Sequence, residues 1–213
     1  MNIDRATTAL LVIDMQRDFL DARGYAAQAG LDIGLLREAI PGVARMLAAA
    51  RQAGLMIVHT REANAPDLSD VPPTFLEATE RTGARVGSPG PLGRLLIRGE
   101  HGSGIVDELA PAADEIVIDK PGFSAFEGTP LGAILFARGI RSLLICGITT
   151  EVCVSSTLRT AIDRGFRCTT LRDACASAYP DLHEASMRII EVEGGVFGRV
   201  ARVDDAVTAL GKG

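Results

Sequence analysis

The chain has 213 residues, of which 47% are apolar, and this composition predicts one globular domain spanning 1–213 with a substantial core. The formal net charge of -5, without a run of Lys or Arg, excludes the electrostatic footprint of a nucleic-acid-binding protein or of a protein that binds anionic membranes. We therefore expect a small-molecule partner, with no nucleic acid and no membrane.

The N-terminal segment is expected to be neither a signal peptide nor a membrane span. In MNIDRATTALLVIDMQ the apolar run between Arg5 and Asp14 is too short for a signal peptide or a membrane span. We predict a cytoplasmic protein. No C-x-x-C pair occurs among the cysteines, which are Cys146, Cys153, Cys168 and Cys175. A disulfide framework is not expected in a cytoplasmic chain of this size.

Short apolar runs rich in β-branched residues predict the strands. Their hydrophobicity is continuous rather than alternating, which is typical of strands buried on both faces of a parallel sheet. The runs are TALLVID (8–14), LMIVHT (55–60), EIVIDK (115–120), SLLICG (142–147), FRCTTL (166–171) and GVFGRVA (195–201).

Segments with helical spacing of apolar residues lie between these runs. Gly54, Gly139 and Gly165 each stand just before the next strand, where a left-handed residue ends a helix. The alternation of strand and helix predicts an α/β, three-layer, doubly wound fold with helices on both faces of the sheet. The helical segments are 36–53, 130–138, 151–164, 182–193 and 204–210.

The connection from 61 to 114 breaks this alternation, since it is rich in proline and glycine. A connection of that length inside a compact domain is usually functional or disordered. We expect loops there, with a short hairpin near GRLLIRG, that form a partial lid over the active site.

Reactive side chains are predicted at the carboxyl ends of three strands, the edge at which open parallel sheets bind ligands. Asp14 closes the first strand, Lys120 closes the third, and Cys153 opens the helix after the fourth. Each residue alone has an ordinary structural explanation, as a turn cap, a solvated cation or a small core residue. Together they supply the carboxylate, cation and thiol that a cysteine hydrolase uses.

Cys153 needs activation, because the thiolate rather than the thiol attacks a carbonyl carbon. The N-terminus of the following helix and Lys120 are expected to lower the pKa of the thiol, and Asp14 is expected to accept its proton. Backbone N–H groups of the preceding GITT turn are well placed to bind an oxyanion.

Three segments resemble the isochorismatase-like cysteine hydrolases, which include nicotinamidases, N-carbamoylsarcosine amidases, ureidoacrylate and biuret hydrolases, and isochorismatases. They are LLVIDMQRDFL with its D-x-Q-x-x-F core, VIDKPGFSAFEGTPL and GITTEVCVSSTLRTAIDRGF. The resemblance runs over nearly the whole chain. It implies a six-stranded, mainly parallel Rossmann-like sheet and a homodimer or homotetramer, since relatives commonly form such assemblies.

The resemblance also implies roles for individual residues. Asp14, Lys120 and Cys153 correspond to the catalytic triad of the family. A cis peptide bond is implied between Ile148 and Thr149, and it turns the N–H of Thr149 toward that of Cys153 to complete an oxyanion hole.

The histidines argue against a metal site. Nicotinamidases of this family bind a metal through an Asp and several His shortly after the second strand, where this chain has only His59. His101 and His183 are remote in sequence. We predict no metal and no cofactor, and we interpret His59 as a strand-end residue or a pocket wall.

Further segments resemble the branch of the family that cleaves ureido and carbamoyl compounds, biuret hydrolase in particular. They are HTREANAPDLSDVPP, IRGEHGSGIVDELAP and DLHEASMRIIEVEGGVFG. Biuret-cleaving relatives have a second lysine where this chain has Phe123, and a glutamine where it has Glu193. If both residues face the pocket, they favour a neutral or cationic ureide such as guanylurea. If they do not, Glu193 caps or salt-bridges near a helix end and Phe123 is a wall.

The predicted substrate-binding set is Phe19, Arg61, Phe123, Ile148 and Glu193. Phe19 follows Asp14 by little more than one turn and is interpreted as a pocket wall. Arg61 and its neighbour Glu62 have access to the pocket from the end of the second strand, although surface charges are common at such positions.

The sequence therefore predicts a metal-independent cysteine amidohydrolase that cleaves a C–N bond of a small linear amide or ureide through a Cys153 thioester. One alternative is an isochorismatase-type hydrolase of a vinyl ether, which needs no thiol. Another is a ureidoacrylate or N-carbamoyl amino acid amidase. A catalytically silent binding protein on the same fold would lack a member of the triad, and none is missing.

Overall fold

A computed structural model describes residues 2–211 of the chain. Six of its strands form one sheet in the order β5-β2-β1-β6-β7-β8, and all neighbouring pairs in it run parallel. This sheet confirms the predicted fold class. The strands are β1 (Thr8–Ile13), β2 (Met56–Glu62), β3 (Pro89–Gly90), β4 (Gly93–Arg94), β5 (Ile116–Lys120), β6 (Ser142–Ile148), β7 (Arg167–Ala176) and β8 (Arg199–Ala201).

Helices connect these strands, and the longer ones, except α5 (Pro73–Arg81), fall where apolar spacing predicts them. The helices are α1 (Arg17–Leu20), α2 (Tyr25–Gln28), α3 (Ile33–Arg37), α4 (Ala39–Ala53), α5 (Pro73–Arg81), α6 (Leu131–Ala137), α7 (Ser155–Asp163), α8 (Pro180–Ile190), α9 (Val192–Gly195) and α10 (Val203–Leu210). Gly54, Gly139 and Gly165 have φ values of 69°, 67° and 83°, which confirms the left-handed helix ends.

The sheet lies between two layers of helices. α4 packs against β1, β2, β6 and β7, with α10 beside it, whereas α7 and α8 pack against β7 from the other face. Every residue of β1 is buried, as the continuous hydrophobicity of its sequence predicts. Among residues 2–211, no helix combines the length and the apolar character that crossing a bilayer requires.

The order of the strands reverses between β1 and β6, and this switch point opens a crevice at their carboxyl ends. Gly147, near the end of β6, has φ 118°, and a Cβ atom there would lie 2.1 Å from the carbonyl oxygen of Ile13. Only glycine fits this close approach. The ends of β1 and β6 are thereby brought together, and with them the turns that follow each strand.

The connection from 61 to 114 contains more regular structure than its composition predicts. Pro73 begins α5 because proline is tolerated in the first turn of a helix, where its missing N–H has no partner to lose. The expected hairpin is present as β3 and β4, just before and at the start of GRLLIRG. Isolated bridges from Gln16 to Ile105 and from Asn64 to Ile97 tie the connection to the carboxyl edge of the sheet.

Candidate active site

Four side chains from different strand ends converge at the carboxyl edge of the sheet. The Nζ atom of Lys120 lies 2.7 Å from Oδ2 of Asp14, 3.5 Å from Sγ of Cys153 and 3.6 Å from Oε2 of Glu62. Sγ of Cys153 lies 3.4 Å from the same Glu62 oxygen. The structure therefore brings together the carboxylate, cation and thiol that the sequence places at strand ends, and adds a second carboxylate.

Asp14 occupies an unusual backbone conformation directly after β1. Its φ of 52° lies in the left-handed region, which a residue other than glycine adopts only where its surroundings hold it. Thr60 supplies that support: its carbonyl accepts the N–H of Asp14 at 3.2 Å, and its hydroxyl donates to Oδ1 at 2.7 Å. The carboxylate is thus fixed from β2 while its other oxygen faces Lys120.

Gln16 explains the D-x-Q spacing of the first motif. Its side chain accepts the N–H of Glu62 at 2.6 Å and donates to the carbonyl of Glu62 at 3.0 Å. It also donates to the carbonyl of Ser103 at 3.2 Å. One buried amide therefore fixes the end of β2 relative to the turn that carries Asp14. Because it binds the backbone of Glu62, it also fixes the position from which the Glu62 side chain extends.

Lys120 ends β5 and is completely buried. Its ammonium donates to the carbonyl of Gly122 at 2.7 Å as well as facing the two carboxylates. Burial alone would lower the pKa of Lys120, but its electrostatic interactions with Asp14, Cys153 and Glu62 outweigh burial and raise that pKa above its ordinary value. Lys120 is consequently a permanent cation inside the site.

Cys153 lies in a π-helical turn, Thr150–Val154, that leads into α7. The peptide bond between Ile148 and Thr149 is cis, which confirms the geometry implied by the family resemblance. The carbonyl of Thr149 accepts the N–H groups of Val152 and Val154 at 3.2 and 3.1 Å, so the turn closes on itself around the cysteine.

The pKa of the Cys153 thiol is raised on balance, although Lys120 acts on it in the expected direction. Burial raises that pKa; Lys120 opposes the change, but Asp14 and Glu62 add to it. Cys153 also lies within the π-helical turn rather than at the N-terminus of α7. The thiol is therefore protonated at rest, and a neighbouring carboxylate has to accept the proton when it reacts.

Glu62 is the member of the cluster that the sequence did not single out. It is the last residue of β2 and is 3% exposed. Burial raises the pKa of its carboxyl, Lys120 opposes this, and the charge of Asp14 adds to it. The signal that could have identified Glu62 is its position at the end of a strand next to β5. In the register of β2 and β5, Glu62 pairs with Lys120.

Two predicted pocket residues, Ile148 and Phe19, are buried. Ile148 is buried at the end of β6, and Phe19 is buried in α1 with its ring edge-on to Tyr25 at 5.7 Å between centroids. Burial raises the pKa of Tyr25 to about 12, and the charge of Glu62 adds to the shift. The interactions with Glu62 and Cys153 place Tyr25 near the cluster, and no motif in the sequence marks it.

Phe123 lies on the loop just after Lys120 and is 43% exposed. Its ring meets the ring of Phe75 of α5 edge-on, with centroids 5.2 Å apart. The aromatic pair therefore joins the loop after β5 to the 61–114 connection, next to the buried cluster. A substrate contact by Phe123 stays a prediction.

Arg61 and Glu193 are placed away from the cluster, contrary to their predicted role in the pocket. Arg61 binds Asp119 at 2.6 Å, because adjacent residues of a strand point to opposite faces and Glu62 takes the inward position. Glu193 is exposed in the turn after α8, with φ 52°. α8 runs back from the carboxyl edge, so that turn lies near the amino ends of the strands, where Gly194 and Gly195 line a cavity with Thr8.

The geometry also bears on a metal site. The ligand atoms of Asp14, Glu62 and Cys153 lie within 4.8 Å of one another, a spacing that suits a metal ion. The ammonium of Lys120 already lies within 3.6 Å of all three groups and supplies the positive charge. His59 is neither a strand-end residue nor a pocket wall: it is buried within β2 and bonds Glu115 at 2.8 Å. A metal-free site stays a prediction.

A model of the Isochorismatase domain matches residues 8–205. The chain belongs to the isochorismatase domain family. This membership confirms the resemblance drawn from the three motifs, and the protein is accordingly a hydrolase.

Named members of the isochorismatase family are similar to the chain over most of its length. The ureidoacrylate amidohydrolase RutB of Methylorubrum extorquens is 36% identical over 97% of this chain and 85% of its own length. RutB of Acinetobacter baylyi is 36% identical over 95% of this chain and 83% of its own length.

Solved structures of the isochorismatase family share the fold. A cysteine hydrolase from Pseudomonas syringae pv. phaseolicola superposes with a TM-score of 0.84 at 25% identity, covering 100% of this chain and 96% of its own. The N-carbamoylsarcosine amidase from Thermoplasma acidophilum has a TM-score of 0.70 at 24% identity, covering 93% and 97% of the two chains, and shows the common fold.

Proposed function

We propose that this isochorismatase family member is a metal-independent cysteine amidohydrolase that cleaves a C–N bond of a small linear amide or ureide. The observation that carries the proposal is the buried cluster in which Lys120 lies 2.7 Å from Asp14 and 3.5 Å from the sulfur of Cys153. Covalent acyl transfer uses these groups: a buried thiol as the nucleophile, with a fixed cation and a carboxylate beside it.

The first step of the proposed reaction is attack by Cys153 on the carbonyl carbon. Asp14 accepts the thiol proton as the sulfur–carbon bond forms, and the carbonyl oxygen takes up negative charge. Lys120 remains protonated throughout, because the negative charges around it raise its pKa. Its role is to stabilise the developing thiolate and the charge of Asp14 rather than to transfer a proton.

The negative oxygen needs donors, and the turn around Cys153 offers them. We assign the oxyanion hole to the backbone N–H groups of Thr149 and Cys153, on the basis of the compact turn that Thr149 begins and that contains Cys153. Collapse of the tetrahedral intermediate breaks the C–N bond, and the leaving amine takes the proton from Asp14. Water activated by Asp14 then hydrolyses the thioester and restores the thiol.

The substrate class is best supported as a linear ureide. Two relatives bear the name ureidoacrylate amidohydrolase and are similar over nearly the full length of this chain, which supports ureidoacrylate-like compounds beside biuret and guanylurea. Glu193 does not meet a cationic group of a substrate bound at the cluster, because it lies near the amino ends of the strands. Glu62 is the carboxylate that could meet an amino or amidino group instead.

The vinyl ether reaction is the weaker alternative, because it does not require the thiol that the structure places beside Lys120 and Asp14. Release of pyruvate from isochorismate without release of ammonia from any ureide would favour it.

An ammonia-release screen tests the proposal. The panel consists of biuret, a ureidoacrylate, carbamoyl amino acids, guanylurea and nicotinamide. We expect turnover of at least one ureide, and a loss of about 10⁴-fold or more in kcat for Cys153→Ala, as for other covalent nucleophiles. The matched control is Cys168→Ala, another buried cysteine, which should retain activity per folded molecule. Activity retained in Cys153→Ala would overturn the proposal.

A further inference from the structure

A side-chain hydrogen bond joins α8 to the turn that carries the proposed oxyanion hole. Nδ1 of His183 lies 2.9 Å from the hydroxyl oxygen of Thr150. Thr150 is 1% exposed, follows Thr149 directly and is the first residue of the π-helical turn that contains Cys153. The catalytic steps proposed above do not use this pair.

His183 is held firmly on its own side of the contact. Its N–H donates to the carbonyl of Tyr179 at 3.0 Å, which places His183 in the first turn of α8. Met187 and Ile190 of the same helix are buried in the core. The ring is therefore attached to a helix that packs against β7 and the π-helical turn, and not to a mobile loop.

The other side of the His183 ring borders a surface cavity of about 370 Å³. Charged side chains surround this cavity, among them the ion pair of Arg172 with Glu184. Burial lowers the pKa of His183; Glu184 acts to raise that pKa and Arg172 acts to lower it further. The ring is therefore neutral near pH 7. A neutral ring makes one directional hydrogen bond through Nδ1.

We propose that His183 is a positioning residue that orients the oxyanion-hole turn by holding the hydroxyl of Thr150. The inference rests on the proposed function, because the backbone N–H groups of Thr149 and Cys153 matter only if an oxyanion forms between them. The Thr149 carbonyl closes the turn from within through Val152 and Val154. His183 fixes the same turn from outside, against a helix of the core.

Orientation of this turn should affect the transition state more than the bound substrate. An oxyanion donor acts at the point where charge develops, and loss of one such donor costs about 10²–10³-fold in kcat. Loss of a group that only orients the donors should cost less, about tenfold, with KM changed less than kcat because the ground-state carbonyl needs these donors less.

Paired substitutions at both ends of the hydrogen bond test the inference. His183→Ala and Thr150→Val remove the bond, and each should lower kcat about tenfold with KM within about twofold of the wild-type value. His183→Asn and Thr150→Ser each keep a polar atom near the original position, and they should recover most of kcat. The double variant should be no slower than the slower single variant, because both changes remove one interaction.

Controls separate positioning from general destabilisation. Glu184→Ala changes the exposed neighbour of His183 and should leave kcat unchanged. The rate of Cys153 alkylation by iodoacetamide should stay within about twofold of wild type in His183→Ala, because alkylation does not use the oxyanion hole. If His183→Ala only lowers the melting temperature and leaves kcat per folded molecule unchanged, the inference is wrong.

A substrate-independent measurement distinguishes failure of this inference from failure of the proposed function. Amide hydrogen exchange over residues 148–154 should be faster in His183→Ala and Thr150→Val than in wild type, and near wild type in His183→Asn. Unchanged exchange would overturn the positioning role whatever the substrate proves to be. Activity that survives Cys153→Ala would overturn the proposed function, while faster exchange would still support the role of His183.

Discussion

A network of charged side chains lies near each end of strands β2 and β5, and the two networks differ in their balance of charge. At the carboxyl edge, the single cation Lys120 faces two carboxylates and a thiol. Near the amino edge, the single carboxylate of Glu115 lies 2.7 Å from Nε of Arg51 and 2.8 Å from Nε2 of His59. The carboxylates of both networks are largely shielded from water, although Arg51 itself is exposed, so burial of a carboxylate alone does not explain what each network does.

The balance of charge decides which protons can move. Where acids outnumber cations, burial and mutual repulsion raise the pKa of both Glu62 and Cys153, so protons are exchanged among neighbours. Burial also acts to raise the pKa of Glu115, but its hydrogen bonds from Arg51, Ala112 and His59 outweigh it and lower that pKa to about 2. The network around Lys120 is therefore suited to proton transfer during a reaction, and the network around Glu115 is suited to stabilising the fold.

The largest expected effect comes from Asp14→Asn at the carboxyl edge. The amide keeps the volume of the carboxylate but cannot accept the thiol proton, so kcat should fall by about 10²–10⁴-fold. Steady-state ammonia release measures this on the best substrate of the screen. A decrease of less than about tenfold would assign the proton acceptor to another group, with Glu62 the nearest one to the sulfur.

Glu62→Gln should have a smaller effect on turnover, about tenfold, because Asp14 remains to accept the proton. Its clearest consequence is on the thiol: Glu62 contributes to the raised pKa of Cys153, so its removal should shift the alkylation profile to lower pH. The profile is measured with iodoacetamide between about pH 6 and 10, around the ordinary thiol pKa. A shift to higher pH would contradict the arrangement described.

Glu115→Gln should reduce stability without changing turnover. Breaking the hydrogen bonds from Arg51 and His59 is expected to lower the free energy of unfolding at pH 7 by about 1–3 kcal/mol. The folded-state pKa of Glu115 is about 2 against an ordinary 4.5, so its contribution is present above pH 4.5 and is lost as the pH falls toward 2.

Thermal melts at several pH values measure this loss. The difference in melting temperature between wild type and Glu115→Gln should narrow as the pH falls from 4.5 toward 2. The control is Asp107→Asn, which changes an exposed partner of Arg17 and should cost at most about 0.5 kcal/mol. A constant difference over this range would show that the charge of Glu115 does not stabilise the fold.

The smallest effect is expected from Arg61→Ala. Arg61 is paired with Asp119 on the face of the sheet opposite Glu62, so kcat and KM should stay within about twofold of wild type. Kinetics with the best substrate check this, with Asp119→Ala as the matched variant. A rise in KM of more than about tenfold in Arg61→Ala alone would return Arg61 to the substrate-binding set.

The sequence was sufficient to predict the fold class and the convergence of Asp14, Lys120 and Cys153. Continuous apolar runs identify buried parallel strands, and the carboxyl ends of parallel strands share one edge of the sheet. Residues placed immediately after such strands must therefore be near one another. The same reasoning could not find α5, because two adjacent prolines indicate a loop by composition and yet fit the first turn of a helix.

Choices between neighbouring residues needed the structure. Arg61 and Glu62 are adjacent at the end of β2, and a one-residue change in register exchanges which of them points inward. Gln16 settles this register by binding both backbone groups of Glu62. The predicted pocket role of Glu193 was wrong for a different reason. Its distance from Cys153 along the chain does not reveal that α8 carries it toward the other edge of the sheet.

The sequence by itself determined the alternation of strands and helices outside the 61–114 connection, the family, and the three strand-end residues, because these depend on patterns within short segments and on the direction of the chain. Only the tertiary structure decided that Glu62 completes the cluster, that the Cys153 thiol is protonated at rest, and that His183 contacts the catalytic turn. Each of these depends on burial and on the charges of residues distant in sequence, and the field at a buried group is the sum over neighbours that only folding brings together.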